Sequence, residues 1–247
     1  MLWKFLVTVV TILSRPFHSD VSPAPSYNEE LAHRAFYEGE AKINDFPSYA
    51  VTNNNNTRWP GFPGGATVPY VIRPELSQIT DLIEEAMEQY HKNTCVRFVK
   101  RTNERDYLDI QKDQGCYSYV GKYHGPQPVS LGDGCHIVGT IVHELGHAIG
   151  CYHEHNRSDR DKYLIIYEQN IQNDRKDQFN KTEASEEMIT TPYNPKSIMH
   201  YGNYAFSIDP RRLKSMEAKD GTPLLEPYQK PGLVDTDIQM VKDMYAC

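Results

Sequence analysis

The stretch TIVHELGHAIGCYHEHNRSDRD, residues 140–161, crowds imidazoles and carboxylates into a short space. His143 and His147 are four apart, so on an α-helix both rings leave one face, a turn apart. Glu144 sits beside the first of them. Gly150 interrupts the helical run and His153 follows it; glycine can take the left-handed conformation that ends a helix and returns the chain towards the first two histidines. Three neutral imidazoles converging on one point suit a Zn²⁺ ion with a position left open for water. A neighbouring carboxylate such as Glu144 can collect the proton of that water and pass it to a leaving amine. A histidine pair at this spacing is commonly only a surface or capping feature. The full H-E-x-x-H-x-x-G-x-x-H string is far more specific. The apolar run Ile137–Val142 leads the motif into a core.

The elements that must position these residues read as follows. ATVPYVI (66–72) is a strand. Residues 75–91 carry an apolar helical stripe at Leu76, Ile79, Leu82, Ile83, Ala86, Met87 and Tyr90, with Pro74 at its start. Cys95–Val99, Asp106–Ile110, Cys116–Val120 and Pro128–Gly132 read as strands, and the zinc motif as the second long helix. The first half is therefore a mixed sheet with two helices behind it, the metal at its lower edge. Residues 163–173 read as partly helical, 174–235 as mostly loop, and Asp235–Tyr245 as a closing helix. Ahead of the sheet, residues 29–43 suggest a short helix and then an extended piece, and the polar, Gly/Pro-rich stretch 45–65 suggests a linker open to nicking.

The chain has 247 residues and a formal net charge of −7. It has no basic block, so nothing calls for nucleic acid. MLWKFLVTVVTILS, with one lysine and a short apolar run, reads as a secretory signal within residues 1–19, and no later stretch is long enough to span a membrane. The expected protein is exported, without stable membrane insertion, and monomeric, since no apolar stripe demands an oligomer. Cysteines at 95, 116, 135, 151 and 247 fit an oxidising compartment with two disulfides and one thiol over. Asn55, Asn156 and Asn180 head glycosylation sequons.

The motif HELGHAIGCYHEHNRSDRD, followed by SIMHYG at 197–202, resembles the astacin family of zinc endopeptidases in the metzincin clan. The likeness runs on through VPYVI, NTCVRFV, GCYSYVG and VSLGDGC. It implies an α+β, two-lobed fold: an N-terminal lobe of twisted mixed sheet and two long helices, and an irregular C-terminal lobe ending in the closing helix. It implies one zinc per chain on His143, His147 and His153, with protein or peptide substrates. Glu144 matches the general base and acid, Met199 the residue beneath the metal, and Tyr201 a fifth ligand that swings away to donate a hydrogen bond to the oxyanion. On spacing alone Met199 reads as core. An extended substrate is expected along Val129, Ser130 and Leu131, read as an exposed sheet edge.

The resemblance further implies pairs Cys95–Cys247 and Cys116–Cys135. Cys151 departs from the family's usual aromatic residue and reads as a buried, inert thiol. The expected organisation is a signal peptide at 1–19, a prosegment at 20–50 and a peptidase domain at 51–247, in a short form without accessory modules. In the prosegment Glu40, where the family pattern has aspartate, would block the zinc. Glu154 would bind the new amino terminus near Ala50; from the residues alone both are solvated acids. Arg211, Arg212 and Lys214 suggest a preference for acidic residues after the scissile bond, or a solvated charge run. The leading function is thus a secreted zinc endopeptidase made as a latent precursor. The alternative is a catalytically weak secreted binding or toxin-like protein that retains the zinc site.

Overall fold

A computed structural model describes residues 31, 32, 34 and 57–247, apart from residue 186. Residues 31, 32 and 34 are helical, in the stretch 29–43 where a short helix followed by an extended piece was expected. The signal peptide at 1–19, Glu40, Ala50 and Asn55 lie outside the described residues, as does the rest of the prosegment.

Alternating β-branched and aromatic side chains make β1 (Ala66–Ile72) a strand, with Ala66, Val68 and Tyr70 buried. Its neighbours are β2 (Val96–Lys100) and β3 (Tyr107–Gln111), both parallel to it. Next to β3 lies β5 (Pro126–Leu131), also parallel, and β4 (Cys116–Ser118) closes the sheet antiparallel to β5. The order is β2-β1-β3-β5-β4, the mixed sheet that was expected. Parallel neighbours need a crossover, and α1 (Thr80–Asn93) supplies it between β1 and β2. The apolar stripe places Ile83, Ala86, Met87 and Tyr90 of α1 in the core. Its first part, Pro74–Ile79, is a 3₁₀ turn rather than α-helix, a common way for a helix to begin.

The second long helix, α2 (Val138–Ile149), is buried at every residue except Val138. A helix apolar on nearly all sides belongs in the centre of a molecule, and this one packs against α1, β4 and β5. Its last carbonyls are all answered. Gly146 O accepts from Cys151 N, and His147 O from the amides of Gly150 and Gly121. Ala148 O accepts from the Trp59 indole and Ile149 O from the Tyr245 hydroxyl. A buried helix end without such partners would be costly.

Beyond α2 the chain is irregular, as expected, with short 3₁₀ turns and a two-stranded antiparallel sheet of β6 (Leu164–Ile166) and β7 (Met216–Ala218). Residues 163–173 are thus part strand, with a 3₁₀ turn at Glu168–Asn170. Leu164 finds its pairing partner in Ala218, a contact no local pattern announces. The closing helix α3 (Asp235–Tyr245) has the expected bounds. Disulfides join Cys95 to Cys247 and Cys116 to Cys135, and Cys151 is a buried free thiol. Among the described residues no helix is long and apolar enough to cross a membrane.

Candidate metal centre

Helix α2 presents His143 and His147 one turn apart and ends at Gly150, whose φ of 114° is open to glycine but strained for other residues. The reversal carries the chain back past Cys151, whose carbonyl accepts from His147 Nδ1 at 2.8 Å, and delivers His153. His147 Nε2 lies 3.0 Å from His143 Nε2 and 3.0 Å from His153 Nε2. His143 Nδ1 lies 2.8 Å from the carbonyl of Ile198.

These contacts fix the tautomers. A carbonyl only accepts, so the single proton of each neutral ring, His143 and His147, is on Nδ1. Both Nε2 atoms are then lone pairs, and two lone pairs 3.0 Å apart repel unless a cation lies between them. Zinc bound at about 2.0–2.1 Å sets tetrahedral nitrogens roughly 3.3 Å apart. The three histidines, whose ligand atoms all lie within 4.8 Å of one another, therefore fit one zinc ion. His143 and His147 are buried and His153 is partly exposed, so the cluster opens on the His153 side. Three ligands leave a position for water or substrate. Glu144, on the same helix and fully buried, stands next to the first ligand.

Met199 and Tyr201 both lie in the turn that passes under the histidines, with relative exposures of 1% and 0%. Met199 Sδ would stand 2.7 Å from a Cβ placed on Gly146 of α2, so the sulfur packs against the helix where it has no side chain. The Tyr201 ring lies 4.3 Å from that of His153 and 4.2 Å from that of His155, centroid to centroid.

Glu154 is not a solvated acid. It is buried, its carboxylate accepts from Arg157 Nη1 at 3.0 Å and from the Asn194 amide at 2.9 Å, and its own amide donates to Met199 O at 2.9 Å. Burial pushes its carboxyl up to about 7 against the pull of Arg157. Burial likewise pushes the Cys151 thiol far up, which keeps it protonated and inert, in line with the reading from sequence.

One expectation is overturned. Val129, Ser130 and Leu131 do not form a sheet edge. They pair with Ser118, Tyr117 and Cys116 of β4 on one side, Val129 and Ser130 pair with Ile110 and Gln111 of β3 on the other, and all three are buried. The edges of this sheet are β2 and β4, and the one next to these residues is β4, whose alternation is too short to mark it as an outer strand; only sheet order reveals it. Asn156 has both amide protons committed, to Gln178 O and Asn180 O, whereas Asn180 is exposed. Arg211 and Arg212 are exposed on a loop, and Lys214 pairs with Glu217 at 3.0 Å.

Sequence reasoning missed the groups that hold the turn. Asp237 of α3 accepts from Ser197 Oγ at 2.5 Å and from the Ile198 amide at 3.0 Å. Glu226 accepts from the Gly202 amide at 2.8 Å. His200 receives the Tyr193 hydroxyl on Nε2 and donates from Nδ1 to Tyr201 O. Lys230, pushed down to about 8 by burial, donates to Ser197 O and His200 O. An acid in the first turn of α3 was the one available signal, since such residues often answer exposed amides; the others are isolated polar residues in loop.

The comparisons with known proteins agree with this site. The peptidase family described as Astacin matches residues 51–246. Astacin-like metalloprotease toxin 1 of Loxosceles intermedia is 44% identical over 213 residues, 85% of this chain and 80% of its own. Zinc metalloproteinase nas-4 of Caenorhabditis elegans is 42% identical over 77% of this chain and 59% of its own. Among solved structures, high choriolytic enzyme 1, a hatching-enzyme zinc-protease from Oryzias latipes, superposes with a TM-score of 0.73 at 36% identity, covering 81% of this chain and all of its own. With its three-histidine site and two-lobed α+β fold, the chain belongs to the astacin family and is a zinc metalloendopeptidase.

Proposed function

We propose that the protein is a secreted endopeptidase, made as a latent precursor, in which Glu144 is the general base and then the acid. The observation that carries this reading is the convergence of three imidazole nitrogens, two of them on the helix that also bears a buried carboxylate. Bound zinc supplies a Lewis acid that polarises the scissile carbonyl and acidifies water. Glu144 takes the proton of the attacking water and returns it to the departing amine. Tyr201 donates a hydrogen bond to the oxygen that gains charge. The carbonyl acceptors of His143 and His147 hold the ring proton on Nδ1, which aims both Nε2 lone pairs at the metal. An extended substrate pairs with the outer side of β4 (Cys116–Ser118), the edge strand that packs against the metal-bearing helix α2.

Secretion is supported by the apolar start of the chain and by two disulfides. The toxin names of the Loxosceles relatives fit action outside the cell. We assign residues 1–19 to a signal peptide and 20–50 to a prosegment in which Glu40 blocks the metal. Processing near Ala50 frees an amino terminus that pairs with Glu154 in place of Arg157. Sugar is carried at Asn180 rather than at Asn156, whose amide is already engaged. The presence of all three histidines, Glu144 and Tyr201 favours an active enzyme over a binding protein that merely retains the site.

The test is cleavage of a denatured protein by the prosegment-free form, with and without a zinc chelator, beside Glu144→Ala. Activity lost in both controls is the expected result. One zinc per chain with no turnover in the unmodified enzyme would overturn the assignment and leave the binding role.

A further inference from the structure

Lys230 is a buried cation, 7% exposed, in the short segment between the Pro227–Gln229 turn and α3. Taking an ammonium out of water is costly unless its protons find acceptors. Here two of them do, and both acceptors belong to the turn beneath the metal: Ser197 O at 2.7 Å and His200 O at 2.5 Å. These carbonyls bracket Ile198 and Met199. The bracketed carbonyl of Ile198 is the acceptor for His143 Nδ1, and that of Met199 accepts from Glu154 N. The His200 carbonyl is half of the peptide bond that leads into Tyr201. One point charge therefore holds the carbonyls on either side and leaves the Ile198 carbonyl to His143 and the Met199 carbonyl to the Glu154 amide. The segment bearing Lys230 is itself wedged in place, since a Cβ on Gly139 of α2 would lie 2.3 Å from the carbonyls of Pro227 and Lys230. Glu226 and Asp237 hold the same turn through its amides, at Gly202 and Ile198.

We infer that Lys230 is a positioning residue for catalysis: its ammonium clamps the turn Ser197–Tyr201 so that Tyr201 and the acceptor of His143 keep a fixed relation to the metal. The inference rests on the role proposed for Tyr201. A lysine suits the task because a compact ammonium can serve two carbonyls from one point, where the planar guanidinium of arginine spreads its donors.

The experiment is a double-mutant cycle in the processed, metal-loaded enzyme, using Lys230→Met, Tyr201→Phe and both together. The Met variant should lose about tenfold or more in kcat with KM within about twofold. In the Tyr201→Phe background it should add little, because the two act through one contact chain. The visible absorption of the Co²⁺-substituted Met variant should shift in position or intensity, which a loss of stability alone would not cause. Lys230→Gln, which keeps one neutral donor, carries the same cycle if the Met variant does not fold. Full kcat with an unaltered cobalt spectrum in a folded variant, or fully additive losses in the cycle, would overturn the inference. If Tyr201→Phe itself turns over normally, the proposed role of Tyr201 fails, and the cobalt spectrum alone decides for Lys230: a changed spectrum supports the clamp and an unchanged one removes it.

Discussion

His200 shows how a residue beside the ligands can work by staying uncharged. Tyr193 donates to its Nε2 at 2.7 Å and its Nδ1 donates to Tyr201 O at 2.6 Å, which uses both nitrogens of a neutral ring. Burial, with the Lys230 charge nearby, pushes its pKa down to about 3. The unfolded chain therefore binds a proton that the folded chain refuses between the ordinary histidine range and that value. The stability due to the neutral ring is complete above the unfolded pKa and is lost as pH falls towards the folded one. Over about pH 5.5 to 3.5 the unfolding free energy should fall by up to ~1.4 kcal/mol per pH unit from this group. His200→Gln can accept from Tyr193 and donate to Tyr201 O without titrating. Its urea-unfolding free energy should decline less steeply by that amount, and equal slopes would dismiss the argument.

At the scale of elements, α2 is placed by two glycines where other chain segments press on it. A Cβ at Gly146 would lie 2.7 Å from Met199 Sδ, and one at Gly139 would lie 2.3 Å from two backbone carbonyls. Alanine favours a helix interior over glycine by about 1 kcal/mol, but overpacking costs about 1–3 kcal/mol. Gly146→Ala should therefore be net destabilising by about 1–2 kcal/mol, softened by the give of the methionine side chain, and should slow turnover by moving the turn under the zinc. Gly139→Ala should cost more, because backbone cannot rotate away as a side chain can. Denaturant midpoints of the two variants check the order; a Gly139→Ala protein as stable as the parent would contradict it.

For the whole molecule, one disulfide ties the lobes together and a second stays within the N-terminal lobe. Cys95–Cys247 spans 152 residues and fastens the end of the chain to the start of β2, whereas Cys116–Cys135 spans 19. Loop-closure entropy puts the first at about 5 kcal/mol and the second at about 3 kcal/mol as upper values. Replacing Cys95 and Cys247 by serine should thus lower the melting temperature more than replacing Cys116 and Cys135, as calorimetry would show. Zinc draws its ligands from α2 and the loop after it, while the Ile198 carbonyl that orients His143 belongs to the C-terminal lobe. An ion present at about a thousand times its dissociation constant stabilises the folded state by about 4 kcal/mol. Chelation should accordingly abolish activity and lower the melting temperature together, with both restored by one equivalent of zinc. Activity that survives a melting shift would place the metal outside the reaction.

The amino-acid sequence by itself determined the metal ligands, the helix that carries two of them, the glycine that returns the third, and the order of strands and helices in the first half. All of these depend on spacing within a few turns of chain, which periodicity and donor type express directly. The family likeness supplied both disulfide pairs and the importance of Met199 and Tyr201, neither of which stands out among the other methionines and tyrosines. Tertiary structure alone decided that β4 lies outside Val129–Leu131 as an edge of the sheet, that Glu154 is buried beside Arg157, and that Glu226, Lys230 and Asp237 grip the turn under the metal site. The physical reason is the same in each case: strand neighbours and buried polar partners are chosen between segments tens of residues apart, and a lone lysine in a loop has no local pattern to mark the carbonyls it will meet.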